Sequence, residues 1–97
     1  METKFLAAYA ANREKAAALG VRMRPITELS QAHRAIAGNR VSDGFFALAD
    51  RKHLELSLEA LVIDKKFTGL FSDEEANHVL EQLLAAGYLF HNESKNR

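Results

Sequence analysis

The segment from Ser72 to Gly87 constrains the fold most, because it carries the signals of a complete amphipathic helix. Ser72 and Glu75 match the S-x-x-E capping box, in which each side chain accepts a hydrogen bond from the other residue's backbone N–H group. The apolar residues that follow at helical spacing are Ala76, Val79, Leu80, Leu83 and Leu84. Since Gly87 suits a helix end, we predict a helix over residues 72–86 whose apolar face packs against a core.

Three more helices are predicted from apolar residues at helical spacing, over residues 3–19, 27–37 and 51–63. Thr27 and Asp50 are the expected N-caps of the last two. Residues 21–24 alternate apolar with basic side chains and predict a short edge strand, and residues 88–91 predict another. The expected fold is mainly α: a four-helix, orthogonal helix–loop–helix domain with one or two short strands.

The run Phe45-Phe46-Ala47-Leu48 is ambiguous, because a short apolar run suits both a buried strand and a helical turn. Pairing of residues 45–48 with residues 88–91 would make the fold α+β.

The composition predicts one domain over residues 1–97, with the polar residues 92–97 as a frayed tail. The chain is 47% hydrophobic and 27% charged, which is typical of a globular protein and argues against disorder. It has no cysteine, and its first residues resemble neither a signal peptide nor a membrane span. We therefore expect a cytoplasmic protein without a disulfide, a cofactor or a membrane partner.

The twelve residues 64–75 suggest a cation site. They begin with Asp64, place Gly69 sixth and end with Glu75, and predicted helices flank them. Residues 54–86 thus resemble a degenerate EF-hand, in which calcium is bound by loop oxygens and a bidentate closing glutamate. The resemblance implies Asp64, Thr68, Ser72 and Glu75 as ligands. Lys66 departs from the pattern, because it occupies the third position, where an oxygen ligand normally stands.

Residues 72–90 also resemble the last helix and following strand of a winged-helix domain, which implies a DNA-binding regulator. The polar face of this helix carries Asp73, Glu74 and Glu81 but no Lys or Arg, so DNA phosphates would repel it. Basic residues concentrate elsewhere: residues 1–52 hold nine Lys or Arg and five acids, against four and eight in residues 53–97. The candidate nucleic-acid contacts are therefore Arg22, Arg24, Arg34 and Arg40.

No catalytic residues are predicted, because the sequence has no nucleophile motif and no glycine-rich phosphate loop. The predicted helix over residues 51–63 carries two apolar stripes, more than one small core needs. We therefore expect a small non-catalytic interaction or regulatory module that binds a protein partner or forms a homodimer, in preference to a nucleic-acid or calcium binder. The expected interaction surface comprises Leu56, Ile63, Tyr88 and Phe90.

Overall fold

The structure, a computed structural model, describes residues 1–38 and 40–88, apart from the side chain of Thr68. In these residues the α-helices are α1 (Glu2–Ala18), α2 (Leu29–Ala35), α3 (Phe45–Asp50), α4 (Leu58–Val62) and α5 (Asp73–Ala85). Two 3₁₀ helices, Leu54–Leu56 and Lys65–Leu70, flank α4. The mainly helical prediction is confirmed.

The predicted helix at residues 72–86 is also confirmed, as α5. The Ser72 Oγ accepts a hydrogen bond from the Glu75 backbone N–H at 3.1 Å, and the Glu75 Oε1 accepts one from the Ser72 N–H at 2.8 Å. The capping box therefore satisfies two backbone donors that the first turn of a helix leaves without a partner. Val79 and Leu83 are the buried residues of α5, which packs mainly on α4, whereas Leu84, predicted on the same apolar face, is exposed.

The predicted strand at residues 21–24 is wrong, and the described residues contain no β-strand. The alternation itself is present, with Val21 and Met23 buried and Arg22 and Arg24 exposed. No neighbouring strand pairs with this segment, however. Instead, Tyr9 and Arg13 of α1 donate hydrogen bonds to two of its carbonyl groups. Residues 21–27 therefore form an extended segment that is held by α1 and belongs to no sheet.

The predicted helix over residues 51–63 is wrong in its first half. Asp50 is the last residue of α3 and not an N-cap, and Lys52 adopts a left-handed φ of 62° that interrupts the helix. The helix restarts at Ser57, whose Oγ accepts a hydrogen bond from the Ala60 N–H at 3.2 Å. The described part of the chain thus has five α-helices where four were expected.

The structure also changes the bounds of α2 and decides between the alternatives for residues 45–48. The α2 helix is shorter than residues 27–37, and Glu28 is its N-cap instead of Thr27. Residues 45–48 are helical, so the α+β alternative is wrong; residues 89–91 and the tail 92–97 lie outside the described residues. No helix in the described ranges is long and apolar enough to cross a membrane.

The core lies between α1, α4, α5 and the two 3₁₀ helices. Phe5 and Tyr9 of α1 are almost fully buried, and Phe5 packs edge-on against Phe67 with ring centroids 5.3 Å apart. The other large apolar side chains that are almost fully buried are Ile36, Phe45, Leu48, Leu58, Val62, Val79 and Leu83. Residues from both halves of the sequence therefore share one core.

Gly44 allows α3 to approach the extended segment. Its φ is 88°, and a Cβ atom built on it would lie 2.8 Å from the Arg22 carbonyl oxygen. Gly87 has nearly the same φ, 89°, but a Cβ there would meet nothing within 4 Å.

These two glycines form a matched pair for mutation. Gly87→Ala is expected to lower the free energy of unfolding by about 1 kcal/mol, because alanine resists a left-handed backbone. Gly44→Ala is expected to lower it by about 2–4 kcal/mol, because the new methyl group must also displace backbone. Chemical denaturation of both variants measures the difference, and equal losses would contradict the close approach of α3 to Arg22.

Candidate functional site

The candidate site begins with the extended segment 21–27, which α1 fixes in place. The Tyr9 hydroxyl donates a hydrogen bond of 2.6 Å to the Arg24 carbonyl oxygen, and the Arg13 Nε donates one of 3.0 Å to that of Met23. Burial raises the pKa of Tyr9 to about 12, so its hydroxyl keeps its proton and acts as a donor at neutral pH. The segment therefore directs Arg22 and Arg24 towards solvent from a fixed backbone.

A buried carboxylate of α4 fixes the loop before α3. Glu59 is 1% exposed, and its Oε2 and Oε1 accept hydrogen bonds of 2.6 Å each from the Ser42 backbone N–H and the Ser42 hydroxyl. Burial raises the pKa of the Glu59 carboxyl, although the bonds from Ser42 oppose this effect. Ser42 lies between Arg40 and Asp43, so this contact positions both charged residues.

Two adjoining surface cavities lie where these segments meet. The larger, about 820 Å³, includes Arg13, Arg22 and Arg24 in its wall. The smaller, about 300 Å³, includes Arg24, Arg34 and Arg40. Arg24 and Asp43 line both cavities, so the two form one surface. We call this region, with Arg22, Arg24, Arg34 and Arg40, the arginine surface; it brings together all four candidate nucleic-acid contacts.

The charge of the arginine surface is only partly compensated. Arg24 pairs with Asp43, with an Nε–Oδ2 distance of 3.1 Å, and both side chains are largely exposed. Within residues 1–38 and 40–88, the guanidinium groups of Arg22, Arg34 and Arg40 have no hydrogen-bond or ion-pair partner. Exposed guanidinium groups around a cavity favour carboxylate and phosphate ligands.

Three of the four candidate calcium ligands, Asp64, Ser72 and Glu75, already have contacts within the chain, and the side chain of Thr68 lies outside the described part. The Asp64 Oδ1 accepts a hydrogen bond from the Lys66 N–H at 2.9 Å, and residues 65–70 form the second 3₁₀ helix. Ser72 and Glu75 cap α5, and the Glu75 Oε2 lies 2.6 Å from the His33 Nδ1. The described residues contain no group of three or more His, Asp or Glu side chains that could hold a metal ion. Calcium binding stays a prediction.

The pair formed by His33 and Glu75 joins α2 to α5. Partial burial acts to raise the pKa of Glu75, but the hydrogen bonds from His33 and Ser72 outweigh it and lower that pKa. The His33 ring also packs on Phe71, with centroids 4.9 Å apart. Glu75 therefore has a structural role that the resemblance to an EF-hand does not include.

The expected apolar interaction surface needs correction. Leu56 is 8% exposed and belongs to the core, because its 3₁₀ helix packs against α1 and α4. Ile63 and Tyr88 are half-buried against that core, and Phe90 lies outside the described residues. The large apolar side chains that are exposed are Met1, Leu19, Phe46 and Leu84.

Sequence reasoning missed three residues of the site: Ser42, Asp43 and Glu59. Asp43 was visible only as part of a turn signal, Asp43-Gly44. Glu59 lay within a predicted helix, where a glutamate normally faces solvent, and no local sequence pattern indicates that it is buried.

Comparisons with protein-family models, with curated proteins and with solved structures give no match to this chain.

Proposed function

We propose that this protein is a small non-catalytic interaction module that binds an acidic protein partner through the arginine surface. One observation carries the proposal: three exposed guanidinium groups without a partner in the described chain surround two adjoining cavities. Arginine binds carboxylates through two parallel hydrogen bonds, which gives an acidic segment both attraction and orientation.

The composition of the cavity walls favours a protein partner over a nucleic acid. Among the described residues that line the two cavities, Tyr9 is the only aromatic one, and it is buried with its hydroxyl bonded to Arg24. Proteins that bind single strands usually stack bases on exposed aromatic rings. The α5 helix, which the resemblance to winged-helix domains implies as a DNA reader, exposes Asp73, Glu74 and Glu81.

A second copy of the chain is one source of such an acidic segment. Asp73, Glu74 and Glu81 form no ion pair within the described residues, and Leu84 of the same helix is 53% exposed. Among the described residues, the one ion pair between the basic and the acidic half joins His33 to Glu75, so most of the opposite charge of the two halves is not paired there. Docking of α5 from one copy on the arginine surface of another would make self-association dependent on ionic strength.

The proposal is tested with a fluorescent oligoglutamate peptide, an oligoglutamine peptide of equal length and a single-stranded DNA oligonucleotide. We expect the oligoglutamate to bind at low salt and to dissociate as salt rises. Arg22→Gln, Arg34→Gln and Arg40→Gln together are expected to weaken binding about tenfold, at roughly 0.5 kcal/mol for each exposed pair. Fluorescence anisotropy measures affinity, and light scattering after gel filtration measures self-association.

The matched control replaces Lys4, Lys15 and Lys66 with glutamine, which removes the same charge outside the arginine surface. If this variant loses as much affinity as the arginine variant, the attraction is a general charge effect and the proposal fails. It also fails if the protein does not bind oligoglutamate at low salt and remains monomeric. Tighter binding of the DNA oligonucleotide would assign the arginine surface to nucleic acid instead.

A further inference from the structure

The three arginines that line the smaller cavity of the arginine surface come from three separate parts of the chain. Arg24 comes from the extended segment, Arg34 from α2 and Arg40 from the loop before α3. The cavity volume, about 300 Å³, is at the lower end of the range for sites that hold small ligands. Because arginine side chains from three segments line one cavity, a single ligand can contact all three.

Most other polar groups in its wall already have partners. The Tyr9 hydroxyl is bonded to the Arg24 carbonyl, and the Ser42 hydroxyl donates to Glu59. The Gln31 Oε1 accepts hydrogen bonds from the N–H groups of Thr27 and Glu28, at 2.7 and 3.2 Å. What remains for a ligand is a set of donors, chiefly on Arg34 and Arg40.

Acceptors are scarce by comparison. The carboxylate in the wall, Asp43, pairs with the Nε of Arg24, which leaves the terminal nitrogens of that guanidinium free to donate. A cavity rich in cationic donors and poor in acceptors selects an anion that has several acceptor oxygens.

We infer that the cavity lined by Arg24, Arg34 and Arg40 binds a phosphate monoester dianion, as carried by a phosphorylated serine or threonine of the partner. This inference rests on the proposed function, since it names the group on the acidic partner that the arginine surface recognises. A monoester phosphate presents three terminal oxygens and nearly two negative charges at neutral pH, so it can engage all three arginines. A glutamate has two oxygens and one charge, and a phosphodiester also has one charge.

The walls of this cavity are held in place without a ligand. Glu59 fixes Ser42 beside Arg40, and Tyr9 fixes the backbone of Arg24. Backbone positions that are fixed before binding reduce the ordering cost of association. The side chains of the arginines themselves must still be ordered by the ligand.

The test uses three peptides of one sequence that differ at a single residue: phosphoserine, glutamate or serine. We expect the phosphoserine peptide to bind about tenfold more tightly than the glutamate peptide, because it adds a charged hydrogen bond. Arg34→Gln is expected to remove this preference, and Arg34→Lys to retain part of it. Arg22→Gln is the control: Arg22 lines only the larger cavity, so the preference should persist while affinity for both peptides falls.

Competition with inorganic phosphate and with dimethyl phosphate identifies the source of the anion. Weak competition by inorganic phosphate, together with still weaker competition by dimethyl phosphate, supports a phosphorylated partner. Inorganic phosphate that binds as tightly as the peptide would overturn the partner and leave a free anion as the ligand. Equal competition by dimethyl phosphate would overturn the dianion.

Equal binding of the phosphoserine and glutamate peptides would overturn this inference and leave the proposed function standing. Binding of neither peptide, together with no binding of oligoglutamate, would remove both. Circular dichroism of each variant checks that an exposed substitution has left the fold intact.

Discussion

Phe5→Ala is expected to lower the free energy of unfolding by about 3–5 kcal/mol, because it removes the ring through which α1 packs against the second half of the chain. Phe5 is fully buried, and its ring lies 5.3 Å from that of Phe67 and 5.4 Å from that of Phe71. The loss combines the hydrophobic transfer of the ring, the cavity that it leaves and the aromatic contacts. Urea denaturation followed by circular dichroism gives the measurement.

Phe46→Ala is the matched control, because it deletes the same ring at a position that is 66% exposed. Phe46 contacts Phe45 edge-on at 5.4 Å, so its removal is expected to cost less than about 1 kcal/mol. Similar losses in the two variants would contradict the burial of α1 against the second 3₁₀ helix.

Glu59→Ala is expected to lower the free energy of unfolding by about 2–4 kcal/mol, because it leaves the N–H and hydroxyl of Ser42 buried without an acceptor. The loop that carries Arg40 and Asp43 loses its anchor as well. Affinity of the arginine surface should therefore fall together with stability. Glu81→Ala, at an exposed position of α5, is the control and should change the free energy of unfolding by less than about 0.5 kcal/mol.

Glu59→Gln separates the hydrogen bonds from the charge. Its amide can still accept from the Ser42 N–H, and it cannot ionise. Burial raises the pKa of Glu59 above the ordinary value of 4.5, so the native state keeps a proton that the unfolded state has already lost. The stability that this group contributes is complete below the ordinary pKa and is lost as pH rises through the raised pKa.

The Gln variant should therefore gain stability relative to the natural chain as pH rises from the ordinary pKa into the neutral range. Denaturation curves of the two proteins at matched pH values measure the difference. A constant difference across that range would show that the Glu59 pKa is not raised by burial.

The sequence predicts those elements whose determinants are local. The α5 helix is the best example, because its cap, its apolar stripe and its terminal glycine all lie within residues 72–87. Residues 21–24 show the limit. Their alternation correctly separates buried Val21 and Met23 from exposed Arg22, but whether a strand forms depends on a neighbouring strand, which local sequence does not specify.

The break after α3 illustrates a second limit. The apolar spacing of residues 51–63 suits a continuous helix, yet the left-handed φ of Lys52 and the N-cap at Ser57 divide it. Lysine and serine occur inside many helices, so tertiary packing of Leu54, Leu56 and Leu58 decides the break.

The sequence predicted which charged residues belong to the candidate site, but it did not predict that the fold brings them together. Composition selected Arg22, Arg24, Arg34 and Arg40, because bases are concentrated in the first half. Their meeting around two cavities depends on Tyr9, Ser42 and Glu59, which act across 15 to 17 positions of the chain. Such contacts carry no periodic signal.

The packing of Phe5 between Phe67 and Phe71 also has a consequence for the order of events during synthesis. Helix α1 leaves the ribosome before Phe67 and Phe71, whose rings cover Phe5, so these contacts form only after the intervening residues have been made. Because domains fold once their long-range contacts are available, α1 must wait with an uncovered apolar face. Nascent chains truncated before Phe67 are therefore the ones that should depend on a chaperone.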